Sequence, residues 1–166
     1  MNMQTKPPHT AAEQAILDNF AEMIGQLPGD GPVTAARDRL LNVISKTGLP
    51  TRRVESWHYT DLRSLLRDVP KQNGGSARQV DPLVRGSFVL PVVQGQSSDM
   101  SALAGMELEP FMDLLVSGAA AKALVERGSD DLIGQLNGAF VGDGYNFSIS
   151  ADQAIEEIIE IQSVQS

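Results

Sequence analysis

The sequence predicts an α+β fold, in which an N-terminal helical hairpin is followed by a mixed segment of helices and strands. Apolar residues recur at helical spacing through residues 10–47, whereas β-branched or alternating runs occupy residues 87–93 and 145–150. A stretch rich in Gly, Pro and Ser lies between these regions. We therefore expect a helical module over residues 1–69, a linker over 70–86 and a mixed segment over 87–166.

Two amphipathic helices form the predicted hairpin. Thr10 and Glu13 have the spacing of a capping box, which predicts a helix from there to about Gln26. A second helix is expected over Thr34–Thr47, with Gly48 as its left-handed C-terminal cap. After a hinge without periodicity, Thr60 is predicted to cap a short third helix that begins at Asp61.

The second half alternates between strand and helix patterns. Pro91 cannot donate a ladder hydrogen bond, so the strand over Ser87–Val93 is expected to lie at an edge or to break there. A helix interrupted at Gly118 is predicted over Met106–Arg127. A further helix over Asp130–Phe140 is expected to be capped by Ser129 and to direct four apolar side chains inward, namely Leu132, Ile133, Leu136 and Phe140.

The chain closes with two strand patterns. Gly142-Asp143-Gly144 predicts a hairpin turn before a half-buried strand over Tyr145–Ser150. Ile155–Val164 fits either a helix face or a strand, and its β-branched density favours a strand.

Composition excludes several classes of function. The chain has no Cys, so disulfides, thiolate catalysis and cysteine-ligated metal centres within it are excluded. Residues 1–80 carry ten basic and eight acidic side chains, but residues 81–166 carry three and thirteen. That acidic half disfavours nucleic acid as a partner. We expect no secretory signal and no membrane span, and therefore a cytoplasmic protein.

The segment Gly48–Leu62 concentrates polar and aromatic side chains and holds the only Trp. Arg52, Arg53, Glu55, Trp57 and Tyr59 could fasten the hairpin to the rest of the chain through a salt bridge and aromatic packing, or could form a docking surface.

Other candidate sites have simpler explanations. His9 and His58 show no convergent metal-ligand pattern. Capping and turn formation account for Asp130, Asp131 and Asp143 without a bound cation. No nucleophile elbow or phosphate loop occurs, so we expect no enzyme activity.

The run G-L-P-T-R-R-V-E-S-W-H-Y-T-D-L over Gly48–Leu62 resembles the signature G-x-P-x-x-R-x-E-x-W-[KR]-Y-T-x-L of the SufB/SufD family of iron–sulfur cluster assembly proteins. His58 departs from it, because the family has Lys or Arg there. A second run, Leu136–Gly144, resembles the family segment L-N-x-A-F-x-x-D-G. The resemblance points to Arg52, Arg53, Glu55, Trp57, Tyr59 and Thr60 as structural or docking residues of the first run, and to Asn137, Phe140, Asp143 and Gly144 in the second.

The resemblance implies an N-terminal fragment of a non-catalytic scaffold subunit of the SufBCD complex. It implies that the mixed segment leads into the first strands of a truncated right-handed parallel β-helix, and that the fragment could self-associate through an exposed edge strand. The implied partners are SufB and SufC homologues. An iron–sulfur cluster, ATP bound by SufC and flavin are implied only for the whole complex, and no cofactor is expected in this chain. The alternative is a free-standing ligand-binding or enzymatic domain with a pocket near Trp57 and Tyr59.

Overall fold

The computed structural model describes residues 8–69, 76–125 and 131–165. These residues form five α-helices, two 3₁₀-helices and two small sheets, which confirms the predicted mixed α+β class. The α-helices are α1 (Ala11–Met23), α2 (Gly31–Thr47), α3 (Leu62–Leu65), α4 (Phe111–Val116) and α5 (Leu132–Phe140). The strands are β1 (Phe88–Val93), β2 (Gln96–Ser97), β3 (Met106–Pro110), β4 (Tyr145–Ile149) and β5 (Ile159–Val164). The 3₁₀-helices cover Glu55–Trp57 and Ala119–Lys122.

The chain divides into two compact units that are not contiguous in sequence. Among the described residues, the first unit comprises residues 8–27, 34–69, 123–125 and 131–140. The second comprises residues 28–33, 76–122 and 141–165. Helix α5 therefore belongs with the helical hairpin, although β1, β2 and β3 of the second unit precede it in the chain.

The first unit is built on a small apolar core. Its buried members come from α1, α2, the start of the next segment and α5, and they are Ala12, Ile16, Ile44, Leu49 and Leu132. The capping box of α1 is present as predicted: the Thr10 side chain accepts from the Glu13 N–H, and the Glu13 carboxylate accepts from the Thr10 N–H.

Three helix starts differ from the sequence predictions. Helix α2 begins at Gly31 rather than Thr34, because proline is tolerated in the first turn, where its missing N–H has no intrahelical role. Helix α3 is capped by Asp61 rather than Thr60, since the Asp61 carboxylate accepts from the Ser64 N–H at 2.9 Å.

Helix α5 begins after Asp131, whose carboxylate accepts from the Gly134 N–H at 3.0 Å. The predicted cap Ser129 and the neighbouring Asp130 lie outside the described residues. Leu132 is buried as predicted and Leu136 and Phe140 are half-buried, but Ile133 is 48% exposed. The buried positions Leu132, Gln135 and Ala139 follow the helical repeat, and Ile133 falls outside that stripe.

The second unit contains the sheet β2-β1-β5. Strands β1 and β5 are parallel and in continuous register, from Phe88 opposite Ile159 to Val93 opposite Val164. The strand favoured for the end of the chain is therefore confirmed. Strand β5 has β1 on one side and no described strand on the other.

The position of Pro91 follows from the hydrogen-bond alternation of this parallel pair. The N–H groups of Phe88 and Gln94 donate to Ile158 and Val164, so the even-numbered residues of β1 face β5. The nitrogen of Pro91 therefore points away from β5, at a position where β2 does not pair. The strand continues through the proline because no ladder bond is required there.

Residues Met106–Pro110 are a strand and not part of the predicted helix. The run M-E-L-E-P alternates with a period of two, which places Glu107 and Glu109 together on an exposed face. Helix α4 then starts after Pro110 and ends before Gly118, which has φ +80° and separates it from the second 3₁₀-helix.

Strand β4 pairs antiparallel with β3, from which it is separated in the chain by α4 and α5. Gly142-Asp143-Gly144 is therefore not a hairpin turn, because it joins α5 to β4 rather than one strand of the ribbon to the other. Phe147 and Ile149 are 38% and 42% exposed, so the predicted half-buried pattern is wrong. A two-stranded ribbon buries little surface by itself.

Within the described part of the chain, no helix is long and apolar enough to cross a bilayer.

Candidate functional site

The segment Gly48–Leu62, called the signature segment below, starts with a buried anchor. Gly48, Leu49 and Pro50 are all buried. Gly48 ends α2 with φ +71°, and its N–H donates to the Ile44 carbonyl at 2.8 Å. A Cβ at position 48 would lie 2.6 Å from Oε1 of Glu13. Only glycine meets both requirements, the left-handed backbone and the close approach.

Glu13 connects this anchor to α1 and α3. Its side chain is fully buried, and its Oε1 accepts from the Leu49 N–H at 2.7 Å and pairs with Arg63 Nε at 3.1 Å. Its Oε2 accepts from the Thr10 N–H at 2.7 Å. Arg63 Nη2 also donates to the Pro8 carbonyl at 2.8 Å. One carboxylate thus joins three separate stretches of the first unit.

These contacts keep Glu13 ionised. Burial by itself would raise the pKa of Glu13, but hydrogen bonds from the Thr10 and Leu49 N–H groups and the charges of Arg63 and His9 outweigh it. The net result is a pKa below the ordinary value of 4.5.

The middle of the signature segment faces solvent. Arg52, Arg53, Glu55 and His58 are exposed, and Tyr59 is 87% exposed. We call these five residues the signature surface. The His58 and Tyr59 rings lie 3.7 Å apart between centroids, and His58 Nδ1 donates to the Glu55 carbonyl at 2.7 Å.

Two other signature residues are half-buried: Trp57 lies in the 3₁₀-helix, and Thr60 donates its N–H to the Trp57 carbonyl at 2.7 Å. The ion pair of this region joins Arg63 to Glu13. Gly48, Leu49 and Arg63 thus contact Glu13 of α1, whereas the fastening suggested for the signature arginines and aromatic residues stays a prediction.

A cavity of about 350 Å³ opens beside the signature segment. Its apolar lining includes Leu49, Pro50, Val54 and Leu132. Its polar lining comprises Thr47, Thr51, Arg53 and Arg63, with Gly48 completing the wall. The cavity lies within the first unit, and its lining combines two arginines with apolar residues.

The second family-like run is shared between the units. Asn137 is exposed, and Phe140 packs edge-to-face on Phe20 with ring centroids 5.5 Å apart. Both belong to the first unit, whereas Asp143 and Gly144 belong to the second.

Asp143 is a hydrogen-bond centre of the second unit. Its Oδ2 accepts from the N–H and hydroxyl of Ser97 at 2.8 and 2.7 Å, and its Oδ1 accepts from the Met112 N–H at 3.1 Å. Burial would raise the pKa of Asp143, but the hydrogen bonds from Ser97, Gly144 and Met112 lower it below its usual value. The carboxylate therefore has a structural role that needs no bound cation.

The described residues offer little to a metal ion. They include no group of three His, Asp or Glu side chains placed to bind one, and the sequence lacks Cys. His9 Nε2 donates to the Ser45 carbonyl at 3.1 Å.

Comparison with protein-family models, curated proteins and solved structures gave no match to this chain.

Sequence reasoning identified Glu13 only as part of a capping box and did not select Arg63. The two residues are fifty positions apart, so no local sequence pattern predicts their ion pair. After the capping bond is made, the Glu13 carboxylate can still accept further hydrogen bonds. This indicates that Glu13 has a second partner but does not identify it. Tyr145 lies in a strand as predicted, but the sequence did not indicate the role of its hydroxyl, which donates to the Pro91 carbonyl at 3.0 Å and accepts from the Ser98 N–H at 2.7 Å.

Proposed function

We propose that this chain is a SufD-like, non-catalytic scaffold region of a cytoplasmic SufBCD-type complex, which assembles and transfers iron–sulfur clusters. The observation that carries the proposal is the signature segment, in which the spacing of Gly48, Arg53, Glu55, Trp57 and Leu62 follows the family pattern. The iron–sulfur cluster is cargo of the complex. Because this chain has no thiolate ligand, the cluster would be held by another polypeptide.

The signature segment is divided into a buried anchor and an exposed surface, and this division supports a scaffold function. Gly48, Leu49 and Pro50 are buried, the first two next to Glu13, while the signature surface is exposed. Arg and Tyr are enriched among residues that dominate protein–protein binding energy. We therefore assign the anchor to stability and the signature surface to docking of another Suf component.

The parallel pairing of β1 and β5 supports the finer fold proposal. Rungs of a parallel β-helix pair in this way, and β5 leaves one side open to a further strand. We propose that this pair forms the first contact of a right-handed parallel β-helix.

Co-purification tests the proposed function. The protein, expressed with SufB and SufC homologues from the same organism, should elute with them as one complex. Omitting it should lower the iron and sulfide content of the purified complex. Separate elution, or unchanged cluster loading without it, contradicts the proposal.

A paired variant tests the docking role. Arg52→Glu with Tyr59→Ser should weaken complex formation while leaving the circular dichroism spectrum unchanged, because both side chains are exposed. Glu22→Gln, at an exposed position on α1, is the matched control and should leave the complex intact. Normal assembly by the double variant would show that the signature segment has a structural role and no docking role.

The second candidate is a free-standing ligand-binding or enzymatic domain. The cavity beside the signature segment favours it, since that cavity is lined by Thr51, Arg53 and Val54. Tyr59 is too exposed to line an enclosed pocket, so a ligand site would lie on this part of the segment rather than near Tyr59. Binding of a small molecule without any association with Suf homologues would favour this candidate.

A further inference from the structure

The cavity beside the signature segment combines two kinds of lining that a ligand must match. Leu49, Pro50 and Leu132 line its apolar side, and since Leu49 and Leu132 are each only 2% exposed, the apolar surface that they offer is small. Val54 is half-buried at the same cavity. At about 350 Å³ the space lies at the small end of ordinary ligand pockets. The apolar lining therefore suits a short aliphatic group.

Arg53 and Arg63, which line the cavity, have hydrogen-bond donors that an anion could use. Arg63 uses its Nε and Nη2 for Glu13 and the Pro8 carbonyl, and its Nη1 has no hydrogen-bond acceptor among the described residues. Arg53 is exposed, and within the described chain only its backbone N–H makes a hydrogen bond, to Thr51 Oγ1 at 3.4 Å. A guanidinium matches the planar carboxylate with two parallel hydrogen bonds.

The charge balance limits the charge of the ligand. Arg53 and Arg63 bring two positive charges, and the carboxylate of Glu13, which is bound to Arg63, removes one. The site is left with a single net positive charge. A monoanion would neutralise it, whereas a phosphate dianion would bring an excess negative charge next to Glu13.

We propose that this cavity binds a monocarboxylate with a short aliphatic body. Arg53 holds the carboxylate with the help of Arg63, and the aliphatic body lies against Leu49 and Leu132. The same chemistry occurs in a free branched-chain acid and in the C-terminal carboxylate of a peptide with an aliphatic last residue. The proposal holds whether or not the chain belongs to a Suf complex, because it depends only on the cavity lining.

Titration with N-acetyl-L-leucine, followed by ¹⁵N NMR, tests the site on the complete chain. Saturable shifts are expected for the backbone amides of Leu49, Thr51–Val54 and Leu132. N-acetyl-L-leucinamide, which keeps the aliphatic body and lacks the charge, should bind at least about tenfold more weakly, because charge-assisted hydrogen bonds are lost. Absence of shifts in these residues, or equal binding of the amide, overturns the proposal.

Two neighbouring arginines provide a matched pair of variants. Arg53→Gln should weaken N-acetyl-L-leucine binding about tenfold or more. Arg52→Gln removes the same charge from an exposed position that does not line the cavity, and should change binding by less than about twofold. Equal losses for both variants would indicate only a general charge effect and would overturn the assignment.

A peptide that ends in leucine distinguishes the two sources of the ligand. Tighter binding of the peptide than of N-acetyl-L-leucine assigns the site to a protein C-terminus, and weaker binding assigns it to a free acid. Binding of neither ligand contradicts the site itself. Because the remaining amide signals report the fold in the same spectra, a misfolded variant is recognised directly.

Discussion

Glu13 is the residue on which the first unit's polar contacts converge. It accepts from Thr10 and Leu49 and pairs with Arg63, and all of this occurs at a fully buried side chain. A buried carboxylate is tolerated only when its acceptor capacity is used and a cation balances its charge. Both conditions are met here, so substitution of Glu13 should destabilise the protein.

Glu13→Gln should lower the free energy of unfolding by about 2 kcal/mol near neutral pH, because charge-assisted hydrogen bonds are replaced by neutral ones. The pH dependence should also change. The folded pKa of Glu13 is below 4.5, so its contribution is complete above that pH and is lost as pH falls through the folded pKa. Urea unfolding followed by Trp57 fluorescence should therefore show a smaller acid-induced loss in the variant. Parallel pH profiles for the two proteins would contradict this assignment.

Substitutions of Gly48 test whether the close contact with Glu13 or the left-handed backbone is the stronger requirement for glycine at this position. Gly48→Ala should destabilise the protein by roughly 1–2 kcal/mol from the left-handed backbone alone, with a further loss from the contact with Glu13. Gly48→Asn is the matched variant, since Asn tolerates the left-handed region but has the same Cβ. We expect both variants to be destabilised in urea unfolding. Full stability of Gly48→Asn would show that the contact with Glu13 is easily relieved.

At the scale of elements, β5 combines an open edge with exposed isoleucine. Ile161 is 63% exposed. Since the even-numbered residues of β1 bond to the even-numbered residues of β5, the N–H of Ile161 points away from β1. An unpaired edge of this kind can pair with another chain. The open side of β5 is thus available both to a further β-helix strand and to a second copy.

Self-association through this edge should be visible in sedimentation velocity as a concentration-dependent increase in mass. Ile161→Pro should abolish it, because the proline removes an outward N–H while leaving the ladder to β1 intact. Ile161→Thr keeps that N–H and reduces only the apolar surface, so it should retain most of the association. A chain that is monomeric at all concentrations, or equal effects of the two variants, would exclude edge pairing.

The elements that the sequence predicted well are those with a local signal. The capping box of α1, the glycine after α2 and the β-branched run of β5 each reflect chemistry within a few residues. The run Met106–Pro110 was included in the helix predicted over Met106–Arg127, but its antiparallel pairing with β4 makes it a strand. That pairing is not visible in the sequence.

The candidate site shows the same limit. Its residues could be selected from the signature, but the division between anchor and surface depends on Glu13, which lies thirty-six positions before Leu49. The cavity also needs Leu132 from a distant helix. Contacts between residues far apart in sequence carry no periodicity, so neither feature could be predicted from local pattern.

At the scale of the whole molecule, α5 decides what can fold as a unit. The buried core of the first unit includes Leu132, and Phe140 packs on Phe20. Arg37 is 1% exposed and donates to the Ala139 carbonyl at 2.8 Å. A hairpin without α5 would lose these apolar contacts and leave a buried guanidinium without this acceptor.

Residues 1–69 expressed alone should therefore be largely unfolded, although they include the complete hairpin and the signature segment. Circular dichroism should show low helicity and no cooperative thermal transition. Residues 1–69 joined to residues 123–140 by a flexible Gly-Ser linker should recover a cooperative transition, because the linker restores the core partners of Ile16 and Leu49. The same fusion with Leu132→Asp is the control and should not recover it, since an unpaired carboxylate would enter the core. Cooperative folding of residues 1–69 alone would instead support a contiguous N-terminal module that does not need α5 to fold.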